Sequence, residues 1–206
     1  MVLKQYKEAS ALIEKNQLEF DVRRSQLRGE DALLYFLYGG NAFAGLRRFD
    51  EATSFYFAAV TLRADVASAI AIDAYKRYVL TSFLWRRSTG ALPRALVSAA
   101  VERAVQSLKP YEELVAALRA LKLGDIQRVL ETHIEAFEAD SNVGLVRQCA
   151  EAAQRQIIKN HTRTYINMSF EKLRTSIGAE NNDQLESLLL KMVKREFKKK
   201  MYNINN

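Results

Sequence analysis

The chain has 206 residues, is 49% hydrophobic and carries a formal charge of +7, which suits one large domain or two small ones and excludes disorder over most of its length. Cys149 is the only cysteine, so no disulfide can form within the chain and no cysteine-based zinc site can be assembled. MVLKQYKEAS lacks the features of a signal peptide and the longest apolar stretch, near Val66 to Ile72, is too short to span a bilayer, so a soluble intracellular protein is expected.

Only two prolines and eight glycines interrupt a composition that favours helix nearly throughout. Lys4 to Arg24 is helix-permissive, with Leu12, Ile13, Leu18, Phe20 and Val22 as its apolar content. Gly29, Glu30 and Asp31 mark the next helix start, because acidic side chains suit the free amides of a first turn. Then comes the most informative pattern, Gly40, Phe43, Phe49, Ala52, Tyr56 and Ala59. Small residues let two antiparallel helices approach while the aromatics fill the space between them, as in a tetratricopeptide-type hairpin, with a turn around Arg47 to Asp50. One such hairpin cannot bury its outer face alone, so stacked helical neighbours are predicted.

Val66 to Leu84 reads as a helix buried on two sides, through Ala67, Ile70, Ala74, Tyr78 and Leu80, and Trp85 to Pro93 as its break. A helix over Arg94 to Ser107 follows, and Pro110 opens the next, with Tyr111, Leu114, Leu118 and Leu121 at helical spacing. Gly124 is read as that helix's stop and Asp125 as the cap of its successor, whose stripe is Ile126, Val129, Leu130, Ile134 and Phe137. Asp140, Ser141 and Asn142 form a cap cluster before a helix over Gly144 to Gln156, with Leu145, Val146, Cys149 and Ala152 inward.

The texture changes from Ile157. After Ile158 and His161, Thr164 to Ser169 is rich in β-branched and aromatic types. A short helix with Phe170, Leu173 and Ile177 inward is stopped by Gly178. Asp183 and Glu186 resemble a capping box, opening a longer helix with Leu185, Leu188, Leu189, Met192 and Val193 on its apolar side. Short helix, turn and longer helix are the core of a winged-helix module, with at most one strand's worth of wing at Lys200 to Ile204.

Four blocks carry a family resemblance: LYGG at Leu37 to Gly40 with Gly45, Leu46 and Phe49; DAYKRYVL at Asp73 to Leu80; LKPY at Leu108 to Tyr111; and DSNVGLVRQC at Asp140 to Cys149. With helical repeats running into a winged helix, the chain resembles the PCI-domain family of the proteasome lid, the COP9 signalosome and translation initiation factor 3. Within it, the signalosome's subunit 3 branch is the nearest, from about Leu33 to about Val193. The resemblance implies an all-α fold: a TPR-like helical-repeat array, a right-handed solenoid, followed by an incomplete winged-helix subdomain. Helical repeats with one TPR-like hairpin take 1–63, the helical-repeat part of the PCI domain 64–163, and a partial winged helix 164–206. Against that family, the chain is expected to lack a helical region before this point and a finished wing with terminal helix after it.

The resemblance further implies a non-catalytic scaffold in the COP9 signalosome, in cytoplasm and nucleus, holding other PCI subunits and, indirectly, cullin-RING ligases, while another subunit removes the ubiquitin-like modifier from cullins. Neither membrane nor nucleic acid is an expected partner, and no catalytic, cofactor or metal residue is assigned. His133 and His161 are the only histidines, and no HExxH motif exists to hold a catalytic zinc. Gly39 and Gly40 read as helix packing, since no Gly-Lys-Ser/Thr follows. Cys149 reads as a buried hydrophobe, and Tyr35, Phe36, Tyr38, Phe43, Phe55, Tyr56 and Phe57 mostly as core. From Glu186 onward six basic residues face two acidic ones, more than half the chain's net excess. Lys191, Lys194, Lys198, Lys199, Lys200, Met201 and Tyr202 are therefore the candidate protein-interface residues. A proteasome-lid or initiation-factor subunit, or a winged-helix adaptor binding nucleic acid through this basic tail, are the alternatives.

Overall fold

The computed structural model describes residues 5–15, 29–62, 68–89, 96–164, 169–177, 182–183, 185–187 and 189–194. Among these the chain is all-α, with no strand: α1 (Tyr6–Lys15), α2 (Gly29–Gly45), α3 (Phe49–Thr61), α4 (Ala69–Arg86), α5 (Ala99–Gln106), α6 (Lys109–Ala120), α7 (Leu123–Thr132), α8 (Ile134–Ala139), α9 (Val143–Thr164) and α10 (Phe170–Ile177). Residues 182–183, 185–187 and 189–194 are helical as well. The expected helical-repeat array is present as helices paired through short turns.

The α2–α3 hairpin forms as its spacing predicts, because glycine removes the atoms that would hold the helices apart. A Cβ on Gly40 would lie 2.5 Å from the Tyr56 ring, and one on Gly39 2.5 Å from Phe55. Ala52, Tyr56 and Ala59 are completely buried in the seam, and Phe43 nearly so. Phe49, expected between the two helices, packs instead on the neighbouring core around Leu80 and Leu84. The same device recurs once more: Gly45 leaves room for the ring of Tyr6, which lays α1 across the end of α2. Arg48 then pairs with both Glu14 of α1 and Glu51 of α3, with its guanidinium 4.9 Å from the Phe43 ring centroid. This gives the first helical stretch the role its mixed polarity hid.

Helix α4 has the two-sided burial its pattern predicts. Ala71, Ala74, Tyr78 and Val79 join the core of the hairpin, whereas Leu80, Phe83 and Leu84 join a second core built by α6 to α9. Ser68 caps its start, accepting from the Ile70 amide at 3.2 Å. Its end lies beyond the expected Leu84: Trp85 and Arg86 are still helical, and Arg87 closes the helix at φ 58°. The next helix starts later than expected, at Ala99 rather than Arg94, where the Ser98 hydroxyl caps the Val101 amide at 3.3 Å.

Pro110 does open α6. The α6–α7 turn differs from the sequence reading, because Leu121, not Gly124, takes the left-handed conformation, at φ 50°. Gly124 and Asp125 lie inside the first turn of α7, where Asp125 pairs with Arg128 instead of capping. The stripe from Ile126 to Phe137 is divided at His133, whose φ of −116° separates α7 from α8. Both ends of the stripe still reach one core, where the Phe137 ring meets Tyr111 edge-on at 5.3 Å.

Helix α9 ignores the change of texture at Ile157 and runs 22 residues to Thr164. Val146, Cys149 and Ala152 serve the second core, while Ile157 and Ile158 begin a third with Leu123, Leu173 and Leu185. Leu189 and Met192 pack against that third core as expected, but Val193 is half exposed, outside the apolar side assigned to it. Asp183 already has helical backbone. Within the run expected from Thr164 to Ser169, residues 165–168 lie outside the described residues, as do Val66, Ala67, Gly178, Leu188, the side chains of Phe170 and Ile177, and the wing segment at Lys200 to Ile204.

The hairpin gives a direct test. Gly40→Ala drives a methyl into a ring with no space to retreat, so it is expected to destabilise by about 1–3 kcal/mol. Gly124→Ala, with nothing within 4 Å of the added carbon, is expected to raise stability by about 0.5–1 kcal/mol. Urea unfolding followed by circular dichroism measures both.

Candidate functional site

Two neighbouring cations on α4 gather residues of three of the four sequence blocks, with Asn41 just after the remaining one, into one polar arrangement. Consecutive residues of a helix diverge by about 100°, so Lys76 and Arg77 reach in different directions. Buried charges must be paired to be tolerated, and each of these finds its own set of partners. Arg77 Nη2 meets Asp73 Oδ2 at 3.2 Å one turn back, and its Nη1 donates to Asn41 Oδ1 on α2 at 2.5 Å. The same oxygen accepts from the Tyr56 hydroxyl at 2.8 Å. Three helices, α2, α3 and α4, are thereby joined at one amide.

Lys76 points to the other half of the molecule. Its Nζ lies 2.6 Å from Asp140 Oδ1 and 5.7 Å from the centroid of the Tyr111 ring. Tyr111 donates to Asp140 Oδ2 at 2.8 Å and accepts from Asn142 Nδ2 at 2.9 Å. Asp140 thus serves as a shared acceptor, beside a turn in which Ser141 adopts φ 55°, rather than as the helix cap read from the sequence. About two turns further on, the Cys149 thiol donates to the Leu80 carbonyl at 3.4 Å. Complete burial pushes this thiol far above its ordinary range, as befits a packing residue.

Burial also pushes the Tyr56 phenol up, against a smaller opposing pull from Arg77. Burial does the same at Tyr111, where the bond from Asn142 opposes the rise and the bond to Asp140 adds to it. Both hydroxyls remain protonated donors across the ordinary pH range. The chemistry available here is connection: paired donors and acceptors tie the helices together, with Arg77 Nε and Asn142 Oδ1 left without a partner among the described residues.

The remaining candidate residues lie apart. His133 Nε2 sits 2.8 Å from Glu113 Oε2, with its ring edge-on to Phe137 at 6.5 Å. No group of three metal-ligating side chains is gathered among the described residues. Of the aromatic set, Phe43 and Tyr56 are buried, Tyr35, Phe36, Phe55 and Phe57 are half-buried, and Tyr38 is 64% exposed. Lys191 and Lys194 are exposed on the last described helical turns, whereas Lys198, Lys199, Lys200, Met201 and Tyr202 lie outside the described residues. Sequence reasoning missed Asn41, Asp73, Lys76, Arg77 and Asn142. The signal that could have found them is a Lys-Arg pair inside an apolar helix, with an aspartate four residues before the arginine.

Paired helices stacked about a shared central helix and pinned by buried polar groups define a helical-repeat protein. Residues 1–101 match the family of COP9 signalosome complex subunit 3, N-terminal helical repeats. COP9 signalosome complex subunit 3 of Dictyostelium discoideum is 29% identical over 189 residues, 91% of this chain and 45% of that protein. Its counterpart in Arabidopsis thaliana is 29% identical over 191 residues, 92% of this chain and 43% of that protein. The chain therefore spans less than half the length of these curated relatives. The resemblance to signalosome subunit 3 read from the four blocks is borne out.

Asp140→Asn is expected to destabilise by about 1–3 kcal/mol, because the partly buried Lys76 loses its charged partner. A double-mutant cycle with Lys76→Met should return a coupling of about 0.5–3 kcal/mol. The raised phenols contribute stability that is present below the unfolded value of about 10 and lost as pH rises through the folded one. Urea midpoints should therefore fall above about pH 10, with a shallower slope in Tyr111→Phe.

Proposed function

We propose that this chain is a non-catalytic scaffold subunit of the COP9 signalosome, supporting cullin deneddylation carried out by another subunit. The observation that carries the reading is the similarity to subunit 3 over nine-tenths of this chain. The tied hairpins supply the physical means. An array whose helices are pinned on both sides of α4 presents edge and concave surfaces at fixed spacing, as repeat proteins do when they hold partners. Those partners are other PCI-domain subunits and, through them, cullin-RING ligases, in cytoplasm and nucleus. On this reading the segment from 164 to 206 is a partial winged helix, a module whose edge pairs with a neighbouring subunit by strand addition. Both named relatives are signalosome subunits, which favours this assembly over the proteasome lid or initiation factor 3.

Mechanistically the role is placement: a protease subunit elsewhere in the complex meets its modified cullin in the right orientation. Affinity purification of the tagged chain from cells should recover several other PCI subunits. Glutamate at Lys191, Lys194, Lys198, Lys199 and Lys200 is expected to reduce that recovery. No recovered subunit, alongside a successful purification of a full-length subunit 3, would overturn the proposal.

A further inference from the structure

The end of α4 gathers positive charge with little to balance it. Between Asp73 and Glu102 the sequence holds no carboxylate, yet it holds Lys76, Arg77, Arg86, Arg87 and Arg94. Lys76 and Arg77 are paired inside the fold. Arg86 and Arg87 are instead exposed where the helix closes. The Arg86 guanidinium rests 4.2 Å from the centroid of the Trp85 ring, which fixes its place at the surface. A third guanidinium arrives from α6: Arg119, also exposed, donates from Nε to Thr89 Oγ1 at 2.7 Å. Neither Arg86 nor Arg119 enters an ion pair among the described residues.

Ser88 stands among these cations. It is exposed, it lies in a bend just past the last helical turn of α4, and its hydroxyl makes no hydrogen bond among the described residues. Its neighbour Thr89 is only 8% exposed and is already engaged by Arg119. An enzyme that modifies a side chain must close around it, which exposed irregular backbone permits and a helix does not. Two guanidiniums immediately before the hydroxyl are a charge pattern that a kinase with an acidic substrate groove selects.

We infer that Ser88 is the acceptor of a phosphoryl group from an arginine-directed protein kinase, and that Arg86 and Arg119 hold the phosphate once it is attached. In the transfer, the bond from the γ-phosphorus of ATP to the β-phosphate oxygen breaks and a bond to Ser88 Oγ forms. The hydroxyl proton passes to the kinase's base and ADP leaves. The phosphate brings close to two negative charges and three acceptor oxygens. Through Thr89, Arg119 Nε lies no more than about 9 Å from the Ser88 Cα, a span that a phosphoserine and an arginine close between them. Free carbonyls at the end of α4 oppose the anion with about half a charge, less than two guanidiniums supply. A phosphate here ties the end of α4 to α6 by charge-assisted hydrogen bonds. The inference stands independently of signalosome membership, since it rests only on the residues around Ser88.

Incubating the full 206-residue chain with ATP and the catalytic subunit of cyclic-AMP-dependent protein kinase tests the acceptor, with the site mapped by tandem mass spectrometry. The acid-directed casein kinase II serves as counterpart. Ser88 should carry the phosphate and Ser88→Ala should lose it. Arg86→Ala and Arg87→Ala should each slow its addition by about tenfold or more, and Arg86→Gln repeats the test if an alanine variant unfolds by circular dichroism. Phosphorus NMR of the modified chain tests the hold. The second ionisation of the phosphate should fall below its ordinary value of about 6, and return towards it in Arg119→Gln. Modification of Thr89 in place of Ser88, no incorporation at Ser88, or unchanged rates in the folded arginine variants would overturn the inference. So would faster modification of Ser88 by casein kinase II, or a phosphate that ionises identically in Arg119→Gln.

Discussion

The adjacent cations Lys76 and Arg77 are the constraint on which the rest of the molecule depends. Each is partly buried and paired to a different neighbour of α4: Arg77 to Asn41 of α2, with Asp73 of α4 itself, and Lys76 to Asp140 and the Tyr111 ring. A purely apolar α4 would bury its surface equally well at many rotations and shifts along its axis. Two paired charges remove that freedom, because any slip strands one of them without a partner. The hairpin of α2 and α3 and the bundle of α6 to α9 are thus held to one helix in one register. This is a role for buried polarity in specificity rather than in raw stability.

Glycine and backbone conformation divide the work of the turns in an unusual way. Gly39, Gly40 and Gly45 lie in a helix, where they permit contact with Phe55, Tyr56 and Tyr6. Among the described residues the left-handed positions fall to Arg47, Arg87, Leu121 and Ser141, and no described glycine takes one. A side chain in that conformation costs about 1–2 kcal/mol, so these turns are sustained by the packing on either side. Close helix approach takes Gly39, Gly40 and Gly45, and packing on either side holds these turns shut.

That division explains what could be read in advance. The hairpin was legible because small and aromatic residues alternate at a spacing that only two close antiparallel helices satisfy. Helix starts at Gly29 and Pro110 were legible from local chemistry. The stop assigned to Gly124 failed because glycine is only a common way, not a necessary one, to close a helix, and Leu121 closes this one. The run of α9 past Ile157 was hidden because its two halves serve different cores, and a single stripe cannot describe both. Of the polar arrangement, the resemblance blocks pointed to the right segments, but Asn142 and Asn41 are ordinary asparagines until the fold brings Tyr111 and Arg77 to them. Partners 31 and 36 residues apart leave no local trace.

Cys149 sits at the centre of the second core, hydrogen-bonded to the Leu80 carbonyl, fully enclosed and with its thiol strongly disfavoured from ionising. A thiolate is what maleimides and iodoacetamides attack, so in the folded protein the native sulfur is chemically silent. A cysteine placed on any solvent-facing helix therefore becomes the sole reactive handle for a dye, spin label or crosslinker, with no need to delete the original and disturb the seam. Conversely, modification of the wild-type chain would report that α4 and α9 had parted.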